Sequence, residues 1–194
     1  CKRKACNAVN SAKIAWFDYS MYNFGLAIKS VKKQYVSQFC QHVEKNEGRI
    51  RLPEEGRYTV SGKEQTANVV VMASNLFANL DEQTAALIKY VYVPEGYLRI
   101  DENAFANLPS LSEIYLPSTV TEMQPRALKG CPTVTRLTLP HVFHTRLADI
   151  FGIIGSVTND SGLVTLNLHT PKTPDDLTIA LYSSGHASFT NLAN

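Results

Sequence analysis

Three prolines at equal steps of 23 residues, Pro94, Pro117 and Pro140, constrain this chain more than any other feature of its sequence. Other columns keep the same step. Ile88, Leu111 and Val134 begin apolar triplets, Val91, Ile114 and Leu137 continue them, and Val93, Leu116 and Leu139 finish them just before the proline. Ala104 matches Ala127, Phe105 matches Leu128 and Phe151, and Pro109 matches Pro132. A unit of this size cannot enclose its own apolar side chains, so each must bury them against the next. The period survives because every unit is the wall on which its neighbour packs.

Self-similarity at this step, with apolar positions spaced as L-x-x-L-x-L, is the mark of a leucine-rich solenoid. The expected class is α/β: a right-handed array of coils, one parallel strand per repeat of about 23 residues, preceded by an α-helical N-terminal cap. Weaker copies flank the central units. "SNLFANLDE" around Phe77 and "ASFTNLAN" around Phe189 echo "NAFANLPS" around Phe105, and residues 68–73 read as a strand. "LVTLNLHTP" at 163–171 restores the spacing through Leu163, Leu166 and Leu168, after a loop at "VTNDSG" whose residues supply turn chemistry. "DLTIALYSS" at 176–184 adds a further strand. The array is expected over 63–194. A last coil stopping just beyond Leu192 would expose apolar surface, so either the array continues in a longer parent chain or a neighbouring molecule covers that end.

The unit "LSEIYLPSTVTEMQPRALKGCPTVTRLTLP", with Gly130 and Cys131, resembles the BspA-like leucine-rich repeat, and the resemblance runs over about residues 68–194. Met123 and Gln124 depart from that family's usual Ile-Gly, and Leu128 replaces its usual Phe. The resemblance implies a non-enzymatic protein without cofactors that binds a protein partner at a cell surface or outside the cell. It also implies that Cys131 packs as a small apolar group rather than reacting.

The first third is different. Phe17, Met21, Phe24, Ile28, Val31, Tyr35, Phe39 and Val43 recur at steps of three and four, which predicts an amphipathic helix over 11–46, started by Asn10 or Ser11 and closed by Gly48. Gly25 marks a bend or a break in it. "RIRLPEEGRYTVSG" at 49–62 reads as a connecting hairpin. Residues 1–62 are therefore expected to form a helical segment with a connector, the helix either capping the open first coil or serving as a self-association seam or membrane-surface helix.

Composition excludes several classes. In 194 residues, 44% hydrophobic and 19% charged content with a net charge of +2 describes a globular chain without the basic surplus that nucleic acid requires. The longest apolar run, "NVVVMA" at 68–73, has strand length and cannot cross a bilayer as a helix. Cys1, followed by Lys2, Arg3 and Lys4, reads either as the lipid-bearing residue of a processed bacterial lipoprotein or as a trimmed start. A cytoplasmic location stays open beside the surface one, and so does the oligomeric state.

Side-chain direction alternates along a strand, so the residues flanking each central apolar position face away from the core. Stacked strands gather them into two columns, Tyr90-Glu113-Arg136-Thr165 and Tyr92-Tyr115-Thr138-Asn167. Aromatic residues and Arg on one face suit protein binding, so Tyr90, Tyr92, Glu113, Tyr115, Arg136 and Thr138 are the candidate site. The same residues could serve stability alone, as an exposed Glu113–Arg136 pair and a cross-strand Tyr pair. Catalytic patterns are poor. Cys40 and His42 are two apart on a predicted helix and so face apart, the His141/His144 pair lacks a third ligand, and no phosphate loop or nucleophile elbow is present. Asn159 to Ser161 forms a glycosylation sequon. The rival reading is a structural component that docks into a larger complex through its N-terminal helix.

Overall fold

The computed structural model describes residues 14–131, 133, 134, 136–139 and 165–168, the last two segments by their backbone. Cys1 and Cys6, the units around Phe151 and Phe189, the His141/His144 pair, the Asn159 sequon and the strand at 176–184 lie outside the described residues. In chain order the elements are β1 (Phe17–Tyr22), β2 (Gly25–Val31), α1 (Val36–Lys45), β3 (Arg49–Arg51), β4 (Glu55–Val60), β5 (Lys63–Met72), α2 (Glu82–Leu87), β6 (Tyr90–Tyr92), β7 (Arg99–Ile100), β8 (Glu113–Tyr115), β9 (Glu122–Met123), β10 (Arg136–Leu139) and β11 (Thr165–Leu168).

The strands form two sheets. The first runs β11-β10-β8-β6-β3, parallel throughout, and stacks Ile50, Val91, Ile114, Leu137 and Leu166 in one register. The second runs β1-β2-β5-β7-β9, with β4 attached to β5, and aligns Ile28, Met72, Ile100 and Met123. Each central repeat thus contributes two strands, one to each sheet, where the period alone predicts one. The outer segments at 102–107 and 125–130 are turns rather than helices, so helix is confined among the described residues to the N-terminal side of β6.

The repeat extends to backbone conformation. Asn103 and Arg126 share a left-handed φ of 56° and 63°, and Asn107 and Gly130 share one of 63° and 75°. Asn tolerates that region better than most residues because its short side chain bonds locally. The units are also tied by hydrogen bonds between positions about one period apart. Ser112 Oγ donates to the Lys89 carbonyl at 3.0 Å, Thr133 Oγ1 to the Pro109 carbonyl at 2.8 Å, and the Gly96 amide to Thr119 Oγ1 at 3.1 Å.

The N-terminal third corrects the helix expectation. Residues 17–31 are an antiparallel hairpin, and only 36–45 are α-helical. Two members of the supposed stripe show why. Phe24 is fully exposed at the hairpin tip and Met21 is 59% exposed, whereas Leu26, which falls off the stripe, is fully buried. Phe17, Tyr19, Tyr22, Ile28 and Val31 are aromatic or β-branched and suit a pleated surface. Asn23, at φ 42°, allows the tight turn, and Gly25 lets β5 approach, since a Cβ there would lie 2.8 Å from the Asn68 carbonyl oxygen. In α1, Phe39 and Val43 are buried one turn apart in the same core as Ile50, Leu52 and Leu76. The hairpin and this short helix together cover the N-terminal end of the core.

The connector also differs. Arg49–Arg51 joins the first sheet beside β6, upstream of the residue at which the period predicts the array to begin. The hairpin lies later, β4 against β5, turning at Ser61 and Gly62 with φ of 51° and 75°. Two consecutive residues with positive φ are what a two-residue hairpin turn needs.

Burial fixes the chemistry of two core groups. Cys131 donates its thiol to the Phe105 carbonyl at 3.0 Å, and burial pushes its pKa up to about 11. Tyr97 is fully buried, donates to the Pro53 carbonyl at 2.8 Å, and is held well above the ordinary tyrosine value by burial. An unfolded thiol loses its proton near pH 9 while the native one keeps it. The native state then binds more protons, so stability is complete below about pH 9 and declines toward pH 11. Urea titrations across that range check this, and in Cys131→Ala the decline should become shallower. Ile114→Ala, which empties a fully buried position in the central column, should cost about 2–5 kcal/mol in the same assay at neutral pH.

Candidate functional site

The outward side of the first sheet brings the two predicted columns together. Tyr90 pairs with Glu113 and Glu113 with Arg136, which pairs with Thr165. Tyr92 pairs with Tyr115 and Tyr115 with Thr138, which pairs with Asn167. For Arg136, Thr138, Thr165 and Asn167 the placement is of the backbone. Proline sets the end of each column: Pro94 and Pro117 follow the strands, and a residue without an amide hydrogen cannot continue a ladder.

Tyr92 and Tyr115 stack face to face, their ring centroids 4.6 Å apart and their planes within 4°. Parallel in-register pairing forces this contact, because identical side chains one strand apart meet at about the strand spacing. The stack continues upstream. Arg51 lies over the other face of Tyr92 at 4.5 Å, and Arg49 lies over Tyr90 at 4.4 Å. Arg51 is also ion-paired with Glu54. Its partial burial works against the charge, but hydrogen bonds to Glu54 and Tyr92 outweigh that cost and hold its pKa above the usual value. Burial raises the Tyr115 hydroxyl above its ordinary range, with Tyr92 and Glu95 adding to the shift. Both faces of Tyr92 are occupied, so it can offer a partner only its ring edge and hydroxyl.

Arg49 and Arg51 are absent from the columns read by period. The step of 41 from Pro53 to Pro94 breaks the period of 23. A signal was nevertheless present: "RIRLP" at 49–53 carries the same outward-apolar-outward-apolar-proline order as "YVYVP" at 90–94 and "EIYLP" at 113–117. The intervening hairpin hid it.

The catalytic candidates do not converge. Cys40 faces the groove between α1 and α2, with Val36, Gln41, Asp81 and Leu87. His42 lies instead against Trp16, ring centroids 5.2 Å apart, and beside the Asn46 amide. Among the described residues no group of three His, Cys, Asp or Glu side chains could hold a metal ion, and no helix is long and apolar enough to cross a membrane.

Residues 69–159 match the family model for the BspA type leucine rich repeat region, in six copies. No curated protein matches the chain in sequence. Among solved structures, a leucine rich repeat protein of T. pallidum is similar at 16% identity and a TM-score of 0.48, covering 79% of this chain and 62% of its own. A leucine rich cell surface protein of Faecalibacterium prausnitzii is similar at 17% identity and a TM-score of 0.47, covering 79% of this chain and 41% of its own. The chain thus spans less than two thirds of the length of either.

The ring stack has a measurable energy. A double-mutant cycle with Tyr92→Leu and Tyr115→Leu, read by urea denaturation, should show a coupling of about 0.5–1.5 kcal/mol, the range for stacked aromatic pairs. Additive losses would mean that the rings touch without interacting.

Proposed function

We infer, for a chain that carries BspA-type leucine-rich repeats over residues 69–159, that it is a non-catalytic module whose ladder-lined face binds another protein. The observation that carries this reading is the Arg51-Tyr92-Tyr115 stack, extended sideways by Arg49 on Tyr90. Tyr and Arg dominate the energetic centres of protein interfaces because they combine large area with polar edges. Ordinarily, holding such side chains in one geometry costs conformational entropy on binding. In this protein the stack has ordered them beforehand, so that part of the cost falls on folding rather than on association.

The site consists of Tyr90, Tyr92, Glu113, Tyr115, Arg136 and Thr138, with Arg49 and Arg51 joined to it by the register of β3. A cell surface is the setting that the family resemblance implies, and we carry it into the proposal. The rival in which an N-terminal helix docks into a larger complex loses its support. Much of that stretch is strand, and the apolar side of α1 is already spent on Phe39 and Val43 inside this chain's own core.

Changing Tyr92, Tyr115 and Arg136 together to Ala should weaken capture of surface proteins by immobilised chain at least about tenfold. Circular dichroism should show the sheets retained, because Tyr92 and Tyr115 flank the buried Val91 and Ile114 rather than joining them in the core, and Arg136 holds the equivalent register position on β10. Undiminished capture by the folded triple variant would place the site elsewhere.

A further inference from the structure

The two sheets do not end together on the N-terminal side. The second continues past β5 through β2 and β1, while among the described residues the first reaches only to β3. In the next layers, a first-sheet strand leads to a second-sheet strand and then to an outer segment: β6 to β7 to the turn at 102–107, β8 to β9 to the turn at 125–130. The layer holding β3 closes with the end of β5 and then α2. By the same register β2 and α1 are the second-sheet strand and outer segment of one more layer, since Ile28 pairs with Met72 and Met72 with Ile100. The first-sheet place of that layer holds no strand among the described residues.

The backbone of β3 is arranged to fill that place. The Tyr90 amide donates to the Gly48 carbonyl at 3.1 Å and the Leu52 amide to the Tyr92 carbonyl at 3.0 Å. Ladder bonds alternate from residue to residue, so Ile50 faces β6 while the Arg49 carbonyl and Arg51 amide face outward. The Arg49 amide is taken by the Asn46 carbonyl at 3.0 Å. Among the described residues nothing pairs with the Arg49 carbonyl or the Arg51 amide. A short open edge of this kind is a template for another strand.

Its charge selects what that strand carries. Arg49 is exposed, has one face on Tyr90, and makes no ion pair among the described residues, whereas Arg51 is neutralised by Glu54. We propose that the open edge of β3 takes an extended acidic segment of a partner protein as one more strand of the first sheet, with a carboxylate of that segment on the Arg49 guanidinium. An in-register residue sits one strand spacing from Arg49 in the same outward column, on the side opposite Tyr90. Stacking on Tyr90 fixes the guanidinium plane, and a carboxylate carried by that residue matches the in-plane N–H edge of the fork through two hydrogen bonds. The next residue of the incoming strand points to the same side as Ile50, toward the core with Phe39 and Val43, and so is apolar. This use of the edge shares Arg49 with the proposed face but needs the β3 backbone rather than Tyr92 and Tyr115, so it survives failure of the face-binding reading.

A short fluorescein-labelled peptide of alternating Glu and Val, titrated into the full chain, tests the proposal by anisotropy, with a Lys-Val peptide beside it. The Glu-Val peptide should bind at least about tenfold more tightly. It should slow hydrogen exchange at the Arg51 amide, and Arg49→Glu should reverse the preference. Tyr92→Ala/Tyr115→Ala should retain peptide binding, which separates the edge from the face. Equal affinities for the two peptides, or binding that leaves the Arg51 amide exchanging freely, would overturn the proposal. So would slow Arg51 exchange without peptide: rising with protein concentration, it would assign the edge to a second copy, and independent of concentration, to the chain's own upstream residues.

Discussion

Everything in this protein depends on one repeated contact, the apolar residue at the centre of each first-sheet strand meeting its equivalent in the next. Ile50, Val91 and Ile114 are nearly or fully removed from solvent, and they belong to one core that runs from Phe17 to Val134. No unit could bury these residues alone, so the favourable free energy lies in the interfaces between units rather than within them. Parallel strands of two to four residues are marginal elements by themselves. Here they persist because two sheets close over the same side chains, and polar side chains bridge to carbonyls one period away.

That arrangement explains where the chain tolerates extra residues. Between β3 and the end of β5 a hairpin is inserted, and between β5 and β6 the helix α2 replaces the turn of later units. Both additions fall at corners, where they leave the register of the strands untouched. Ile50 still pairs with Val91 and Met72 with Ile100, as though the insertions were not there. Loop closure costs grow slowly with length, whereas a shift of one residue in register would turn every core side chain outward. The ladder is thus rigidly specified and its connections are not.

The outward columns follow from the same register. Tyr92 stacks on Tyr115 because the core residues between them and their neighbours are aligned, not because the rings seek one another out. Most of this was readable in the residues. The period placed Tyr90, Glu113 and Arg136 in one column and Tyr92, Tyr115 and Thr138 in the other before any coordinates. Arg49 and Arg51 were not readable by period, since their unit is interrupted, and they complete the face with guanidinium groups over both leading tyrosines. The helix expected at 11–46 failed for a related reason. Apolar steps of three and four can arise from two short strands joined by a tight turn, and the exposure of Met21 and Phe24 with the burial of Leu26 tells them apart.

By itself the sequence determined the repeat, its step, the column of buried residues and the match of residues 69–159 to a known repeat type, because each of these is local information copied from unit to unit. Tertiary structure decided how the N-terminal end is covered and where the ladder begins. Those outcomes rest on pairings between distant segments, β2 with β5 and β3 with β6, which no short window of sequence contains. A hairpin and a helix can carry the same apolar spacing. Which one forms depends on whether an open sheet edge lies within reach, and here the edge of β5 supplied it.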